Sequence, residues 1–333
     1  MDIERYSRQI LYKNIGEDGQ RKLLESTVLI VGVGALGSVS SEMLARLGIG
    51  KLILVDRDYV ELSNLQRQTL YTERDADEQK PKAIAALEHL KEIRSDLDIE
   101  VHVNHVDALF LESLVKTHDV DLILDGTDNF ETRLVINDVA YKVGIPWVHA
   151  AVVEASYVVA PFTQDSPCYR CVMPVLPSNT LTCDTAGVIS PAIHTAVSIQ
   201  VTTAIKLIIG ETFDRHYMTF GDLWSGEHSR IAFDNIKNKE CDTCELELYP
   251  SYNESHQALS LCGRDTVQIY DDTITYELSL NTAKRLGDYK ETPYFIEFYY
   301  DDYRIIVFKN GRMLIHGLKR IEKARTIVAQ LFG

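Results

Sequence analysis

The 333 residues are short of positive charge: 34 Lys and Arg stand against 49 Asp and Glu, a formal net charge of −15. Without a basic excess the chain has little with which to displace counterions from a nucleic-acid backbone, so nucleic-acid binding is excluded as its main task. A few local cations still suffice for a small anion such as a nucleotide. The sequence starts Met1-Asp2-Ile3-Glu4-Arg5-Tyr6, without the basic-then-apolar order of a leader. Every apolar run is broken by Lys, Arg, Asp or Gly before the roughly 18 residues of a membrane span. A cytoplasmic protein with no membrane partner is expected. Cysteine is scarce: there are six, and none lies within 265–333. Long-period repeats and low-complexity segments are missing too. What remains, 45% hydrophobic and 25% charged residues, is globular composition and excludes a wholly disordered chain. The length suggests two domains.

Across 28–151, short apolar runs alternate with helical patterns. Val28–Gly34, Lys51–Asp56, Glu100–Val106, Asp121–Asp125 and Pro146–Val153 read as strands. A helix stripe of Leu36, Val39, Met43, Leu44 and Leu47 stops at Gly48, and further helices are expected near 82–94, 109–117 and 130–143. This alternation predicts an α/β fold with a doubly wound, mostly parallel sheet. Between Cys171 and Ile189 lies an irregular stretch rich in Pro, Ser, Asn, Thr and Gly, long enough to suggest function or disorder. Ser190-Pro191 then reads as an N-cap followed by a first-turn proline, opening a helix to Gly210. From about 258 the texture changes: strands at Val267–Tyr270, Thr273–Leu278 and Tyr294–Tyr300, a short helix at Asn281–Leu286, a hairpin of Arg304–Phe308 and Met313–His316 about Asn310-Gly311, and a basic helix Lys319–Leu331. The boundaries expected are 1–257 for the main domain and 258–333 for a small α+β domain.

Gly32-Val33-Gly34-Ala35-Leu36-Gly37 falls between a strand and a helix. Gly32 permits the turn, Gly34 lets phosphate approach the backbone, Gly37 lets the helix pack closely, and the helix N-terminus offers free N–H groups to an anion. Asp56 ends the next strand, where a carboxylate accepts from ribose hydroxyls. By itself this does not choose between NAD and ATP. Asn64 and Arg67 in Ser63-Asn64-Leu65-Gln66-Arg67-Gln68, Lys82 at the next helix start, and Asp128 in Asp125-Gly126-Thr127-Asp128-Asn129 all belong at strand C-terminal ends, which share one crevice. Two cations beside a carboxylate suit a triphosphate with Mg²⁺, Asp128 giving the metal a hard oxygen; a hydride-transfer enzyme has no need of that set.

Cys168-Tyr169-Arg170-Cys171 and Cys241-Asp242-Thr243-Cys244 have matched spacing. Four thiolates make the closed tetrahedral shell of structural zinc; a redox pair or four unrelated buried thiols are the rivals. Cys183, alone in the irregular stretch, is either a small buried hydrophobe or a reactive thiol activated by the following helix. Cys262 is taken as structural. Arg8, in Arg5-Tyr6-Ser7-Arg8-Gln9, belongs either to a flexible solvated arm or to a phosphate site in this or a neighbouring subunit.

In order, Tyr6-Ser7-Arg8-Gln9, the glycine motif, Asp56-Arg57-Asp58, the Asn64–Arg67 run, the Asp128 run, both cysteine pairs and Thr182-Cys183 resemble the ubiquitin-activating-enzyme superfamily. The likeness is to its bacterial MoeB/ThiF/HesA-type sulfur-carrier adenylyltransferases and covers roughly 1–250. It implies a Rossmann-like, ATP-binding fold with a zinc knuckle. It also implies an enzyme that uses ATP and Mg²⁺ to adenylate the C-terminus of a small ubiquitin-like carrier ending in Gly-Gly. Asp56 matches the ribose position, Asn64, Arg67 and Lys82 the phosphate positions, and Asp128 the Mg²⁺ position. Arg8 is implied to enter the partner subunit's active site, hence a homodimer. Longer relatives end in a rhodanese domain; a tail without cysteine cannot be one, so a separate persulfide donor is expected. The carrier expected first is the small subunit of molybdopterin synthase, then the thiamine-thiazole carrier. From other classes, an NAD-linked oxidoreductase and a nucleotide-sensing scaffold are the alternatives.

Overall fold

The computed structural model describes residues 3–174, 186–253, 258–260, 266–271, 273–309 and 311–332; Cys183 and Cys262 lie outside them. Residue contacts divide the chain into two units, 1–253 and 254–333.

In the first unit, β1 (Thr27–Val31), β2 (Lys51–Val55), β3 (Asp98–His102), β4 (Leu122–Asp125) and β5 (Trp147–Val153) form a parallel array in the order β3-β2-β1-β4-β5. Their side chains alternate between two cores, as the pleat requires. Val28 and Ile30 pack with α3 (Ala35–Leu47) and α5 (Lys82–Ile93); Leu29 and Val31 pack with α6 (Ala108–Thr117) and α7 (Phe130–Val143). The sheet is doubly wound, as expected. The chain reverses direction across it beside β1, which puts the crevice between the C-terminal ends of β1 and β4.

Three antiparallel strands continue the sheet: β6 (Ser156–Phe162), β7 (Tyr217–Asp222) and β8 (Glu227–Ala232). Sequence reading missed all three. Every residue of β8 is exposed, so it carries no hydrophobic alternation. The helix expected from Ser190 is α9 (Ser190–Ile209), but Ser190 is already helical and Ile189 is the cap. Gly210 ends it with φ +86°. By length and composition alone α9 is long and apolar enough for a membrane span, contrary to the expectation that no run approaches that length. Here its Ala192, Ile193, Val197 and Val201 pack into the core against β4–β6. The N-terminal arm is a helix as well, α1 (Ile3–Ile10), anchored by buried Tyr6 beside α2 (Gly16–Glu25). Two shorter helices, α4 (Glu73–Asp77) and α8 (Tyr169–Val172), complete the described part of this unit.

The second unit is a six-stranded antiparallel sheet ordered β11-β12-β13-β14-β10-β9. Its strands are β9 (Ala258–Ser260), β10 (Thr266–Tyr270), β11 (Tyr289–Glu291), β12 (Phe295–Tyr300), β13 (Tyr303–Phe308) and β14 (Arg312–His316). Val267, Phe298, Val307 and Ile315 pack with Ala283 of α10 (Tyr276–Leu286) and with Ala324 and Ile327 of α11 (Ile321–Phe332). The strand expected at Thr273–Leu278 is not one. The Thr275 hydroxyl accepts from the Leu278 N–H at 3.2 Å and starts α10 there; a cap outweighs the β-propensity of Thr and Tyr.

Candidate functional site

β1 ends in a turn that only glycine fits. Gly32 has φ +85°, and a Cβ there would meet the Gly126 carbonyl oxygen at 2.8 Å; a Cβ on Gly37 would lie 1.9 Å from the Gly32 oxygen. The β1 turn, the first turn of α3 and the loop after β4 are therefore packed backbone to backbone. Gly34 differs, since the nearest atom to a Cβ there is Nε2 of Gln68, 3.9 Å away. Gly34 caps α3 without any side-chain hydrogen bond. The open face of Gly34 and an uncapped helix N-terminus form a cradle that fits a phosphate.

Asp56 closes one side. Its Oδ2 accepts from the Val33 N–H and its Oδ1 from the Asp58 N–H, both at 2.7 Å. Burial pushes its carboxyl above the ordinary range, against the pull of Lys82. Lys82 is buried at the start of α5, with Nζ 3.7 Å from an Asp58 oxygen. The Tyr71 hydroxyl, 2.6 Å from the Val33 oxygen and 3.2 Å from the Lys82 oxygen, ties that helix start to the glycine turn. Thus the turn, Asp56 and Lys82 meet.

Asn64 and Arg67 stand on the adjoining 3₁₀ turn with local partners. The Asn64 side-chain oxygen accepts from the Glu61 N–H at 3.2 Å, and Arg67 donates to the Ser63 carbonyl at 3.0 Å. Asp128 is exposed one residue beyond Thr127; among the described residues its carboxylate accepts from the Asn129 side-chain amide at 3.4 Å. An exposed carboxylate at a strand end fits a hard divalent cation. Arg8 is exposed and, among the described residues, makes no hydrogen bond or ion pair. Its neighbour Gln9 donates to the Leu47 carbonyl at 2.9 Å. That is the C-terminal end of α3, about 18 Å along the helix from the glycine turn. Arg8 is thus not at this chain's own cradle.

Below the Asp128 loop lies a network that sequence reading did not assemble. Fully buried Asp125 accepts from Thr127 N–H (2.9 Å) and Oγ1 (2.6 Å), from Arg133 Nε (3.2 Å), and pairs with His149 Nδ1 (2.7 Å). Arg133 also donates to the Thr127 carbonyl at 2.8 Å. Burial alone would raise the Asp125 carboxyl, but Arg133 and His149 bring it below its usual value. Gln200 from α9 donates to the carbonyls of Asp125 and Val148 at 2.8 and 3.0 Å. The available signal was a carboxylate ending an apolar strand, which must find partners. Arg133 and His149 alone read as ordinary.

Away from the crevice, Cys168, Cys171, Cys241 and Cys244 are buried with all four sulfurs within 4.8 Å of one another. Zn–S bonds near 2.3 Å in a tetrahedron put sulfurs about 3.8 Å apart. Burial pushes Cys168 up and Cys244 up to about 12, so a bound cation is what would make these thiolates affordable at neutral pH. Donor set and spacing fit zinc. Cys183 lies outside the described residues.

The ThiF family model matches residues 6–243. Over 339 aligned residues the chain is 42% identical to the sulfur carrier protein ThiS adenylyltransferase of Bacillus subtilis, covering 99% of both. The molybdopterin-synthase adenylyltransferase of Escherichia coli is 41% identical over 211 residues, 63% of this chain and 83% of that one. Among solved structures, E. coli MccB with succinimide matches with TM-score 0.62 and 24% identity, covering 74% of each chain; that likeness speaks to the fold.

Proposed function

The chain belongs to the ThiF family, and from that premise we propose that it uses ATP to adenylate the C-terminal glycine of a small sulfur-carrier protein. The observation that carries the reading is the uncapped start of α3 over Gly34, flanked by Asp56 and buried Lys82. NAD-linked redox chemistry would leave Lys82 and Asp128 without a task.

The carrier's terminal carboxylate is ionised at neutral pH, so no general base is needed. One carboxylate oxygen attacks the α-phosphorus, the bond to the β-phosphate oxygen breaks, and pyrophosphate leaves. We assign Asp56 to the ribose hydroxyls, the α3 N-terminus, Asn64, Arg67 and Lys82 to the phosphates, and Asp128 to Mg²⁺. The magnesium supplies charge neutralisation on the phosphates when bound. Catalysis is then alignment and electrostatic stabilisation. A separate persulfide donor supplies sulfur for the thiocarboxylate. The four cysteines would hold structural zinc with no open coordination position.

We assign Arg8 to the site of a second copy. Its place at the far end of α3, beside exposed Leu11 and Tyr12, supports a homodimer, as does the half-buried apolar end of α9 at Ile205, Leu207, Ile208 and Ile209. The compartment proposed is the cytoplasm, where ATP and carriers meet. Between the two carriers, the extent of likeness weighs: the Bacillus subtilis ThiS-type relative is 42% identical over 99% of this chain, whereas the molybdopterin relative covers 63% of it. We therefore place the thiazole carrier first and the molybdopterin-synthase carrier second.

The test is ATP–pyrophosphate exchange with each carrier, intact or lacking its terminal glycine. Exchange only with the intact ThiS-type carrier is expected. Exchange with the molybdopterin carrier alone reverses the order, and silence with both, despite ATP binding, overturns the adenylyltransferase reading.

A further inference from the structure

We propose that Asp125 and Arg133 are positioning residues for the divalent cation: they clamp Thr127 from two sides and so fix the point from which the neighbouring Asp128 carboxylate reaches the metal. The proposal rests on the ATP site and the Asp128 assignment made above. Each polar group of Thr127 is tied down. Its N–H and hydroxyl donate to Asp125 Oδ1 at 2.9 and 2.6 Å, and its carbonyl accepts from Arg133 Nη2 at 2.8 Å. The guanidinium joins the two halves of the clamp, since its Nε also donates to Asp125 Oδ2 at 3.2 Å. Its Cζ lies over the Phe130 ring, 5.4 Å from the centroid. A planar fork can bridge a carboxylate and a carbonyl in this way, whereas the point charge of a lysine holds one of them.

The backbone on either side of the clamp is fixed as well. Upstream, the Gly126 N–H donates to the Val31 carbonyl at 2.8 Å, and a Cβ on Gly126 would lie 2.2 Å from the Gly32 oxygen. Downstream, the Asn129 side chain caps α7 by accepting from the Thr132 N–H at 2.9 Å. Asp128 is thus an exposed carboxylate on a backbone held at both neighbours and keyed to the glycine turn. Stability alone does not account for this arrangement. Asp125 and Arg133 form a buried ion pair, and such a pair often stabilises no more than apolar residues of the same volume. What it adds here is geometry. A metal ligand is oriented by the contacts behind it, and losing such a contact weakens metal binding without touching the ligand itself.

The experiment measures ATP affinity by calorimetry in Mg²⁺ and in EDTA; the ratio of the two is the metal's contribution, read without carrier or turnover. Arg133→Lys keeps a charge beside Asp125 but gives up one side of the clamp. Its ratio is expected to fall about tenfold, with metal-free ATP affinity and the ligand-free melting temperature little changed. Asp128→Asn lowers the ratio at least as far. Adding Arg133→Lys to it lowers the ratio no further, because residues that act through one ligand do not add. Thr127→Val deletes the hydroxyl bond alone and lowers the ratio a few-fold, which keeps the test decisive should Arg133→Lys fold poorly. Losses that multiply in the double variant overturn the proposal, as does a ratio unmoved in Thr127→Val. So does a metal-free affinity that falls as far as the affinity in Mg²⁺. If Asp128→Asn leaves the ratio at its parental value, the magnesium assignment fails and takes this proposal with it. Silent pyrophosphate exchange, with the pattern of ratios intact, would sink the adenylation reading alone.

Discussion

Helix α7 runs between two polar regions that are finished to different degrees. Near its C-terminal half, Asp138 is fully buried and has every lone pair met. Arg170 donates at 3.0 and 2.8 Å, Thr243 at 2.5 Å, the Ser251 N–H at 3.0 Å and Asn137 at 3.2 Å. Arg170 and Thr243 are interior residues of the two Cys-x-x-Cys pairs, so one carboxylate locks both cysteine loops before any metal arrives. At the other end, the crevice leaves Gln68 Oε1 and Gln200 Oε1 without partners, α3 uncapped and Asp128 exposed. Native interiors rarely tolerate unmet polar groups. The unmet oxygens beside the glycine turn mark where a ligand completes the structure; the Asp138 carboxylate has all its partners within the protein.

The difference predicts where damage goes. The largest effect is expected at the knuckles. Replacing Cys168 and Cys171 by serine, or stripping metal with a chelator, removes a closed site whose formation is worth about 10–16 kcal/mol in small zinc modules. The cooperative unfolding transition seen by circular dichroism should collapse, and metal analysis of the parent protein should return close to one zinc per chain. Asp138→Ala comes next. It leaves Arg170 facing a buried gap and should cost about 3–5 kcal/mol in urea unfolding, with ATP affinity little changed. An Asp138→Ala protein as stable as its parent would break the contrast.

Damage to the crevice should read in rate rather than stability. Lys82→Ala is expected to slow ATP–pyrophosphate exchange by about 10²–10³-fold, roughly 2.7–4 kcal/mol of barrier, while its urea midpoint moves far less than that of Asp138→Ala. Arg8→Ala should slow the same exchange, and the position of Arg8 supplies a sharper reading. Subunit exchange between the two inactive variants should restore about a quarter of parental activity, because half the dimers then hold one intact site. No recovery would return Arg8 to its own subunit or to the solvent.

The same contrast explains what was legible in the sequence. The parallel array could be read because each βα step is punctuated: an apolar strand, a glycine or carboxylate, a helical stripe. The two cysteine pairs were legible for the same reason, matched spacing being a local pattern. What escaped depends on partners distant in sequence. Asp125 and His149 are 24 residues apart and meet only because β4 and β5 are neighbours; Arg170 and Thr243 find Asp138 only in three dimensions. β8, exposed along its whole length, holds its place by hydrogen bonds to β7 and not by apolar side chains. At Thr273–Leu278, residue preference pointed to a strand, and one hydrogen bond from Leu278 to Thr275 decided for a helix.

The smallest effect is a separation on the acid side. Arg170, with Thr243, holds the Asp138 carboxyl below its ordinary pKa against burial, and Arg133 with His149 does the same for Asp125. A depressed carboxylate contributes stability that is full above its unfolded pKa, near 3.9, and is lost progressively as pH falls from there through the lower folded value. Asp56 has the opposite sign. Burial raises its pKa despite Lys82 and two backbone N–H donors, so its ionised form is a penalty on the fold at neutral pH that protonation relieves. Acid should therefore take the ribose acceptor before it takes the structure. Affinity for adenosine, followed by calorimetry from pH 7 downward, should begin to weaken above pH 4 by a few-fold, where protonation of Asp56 relieves its burial and so does not itself lower the melting temperature. Asp56→Asn keeps one acceptor oxygen but cannot titrate, and should abolish that early arm. If affinity and melting temperature instead decline together, the crevice and the knuckles share one acid-sensitive support, and the two ends of α7 are not the independent regions that their hydrogen bonds describe.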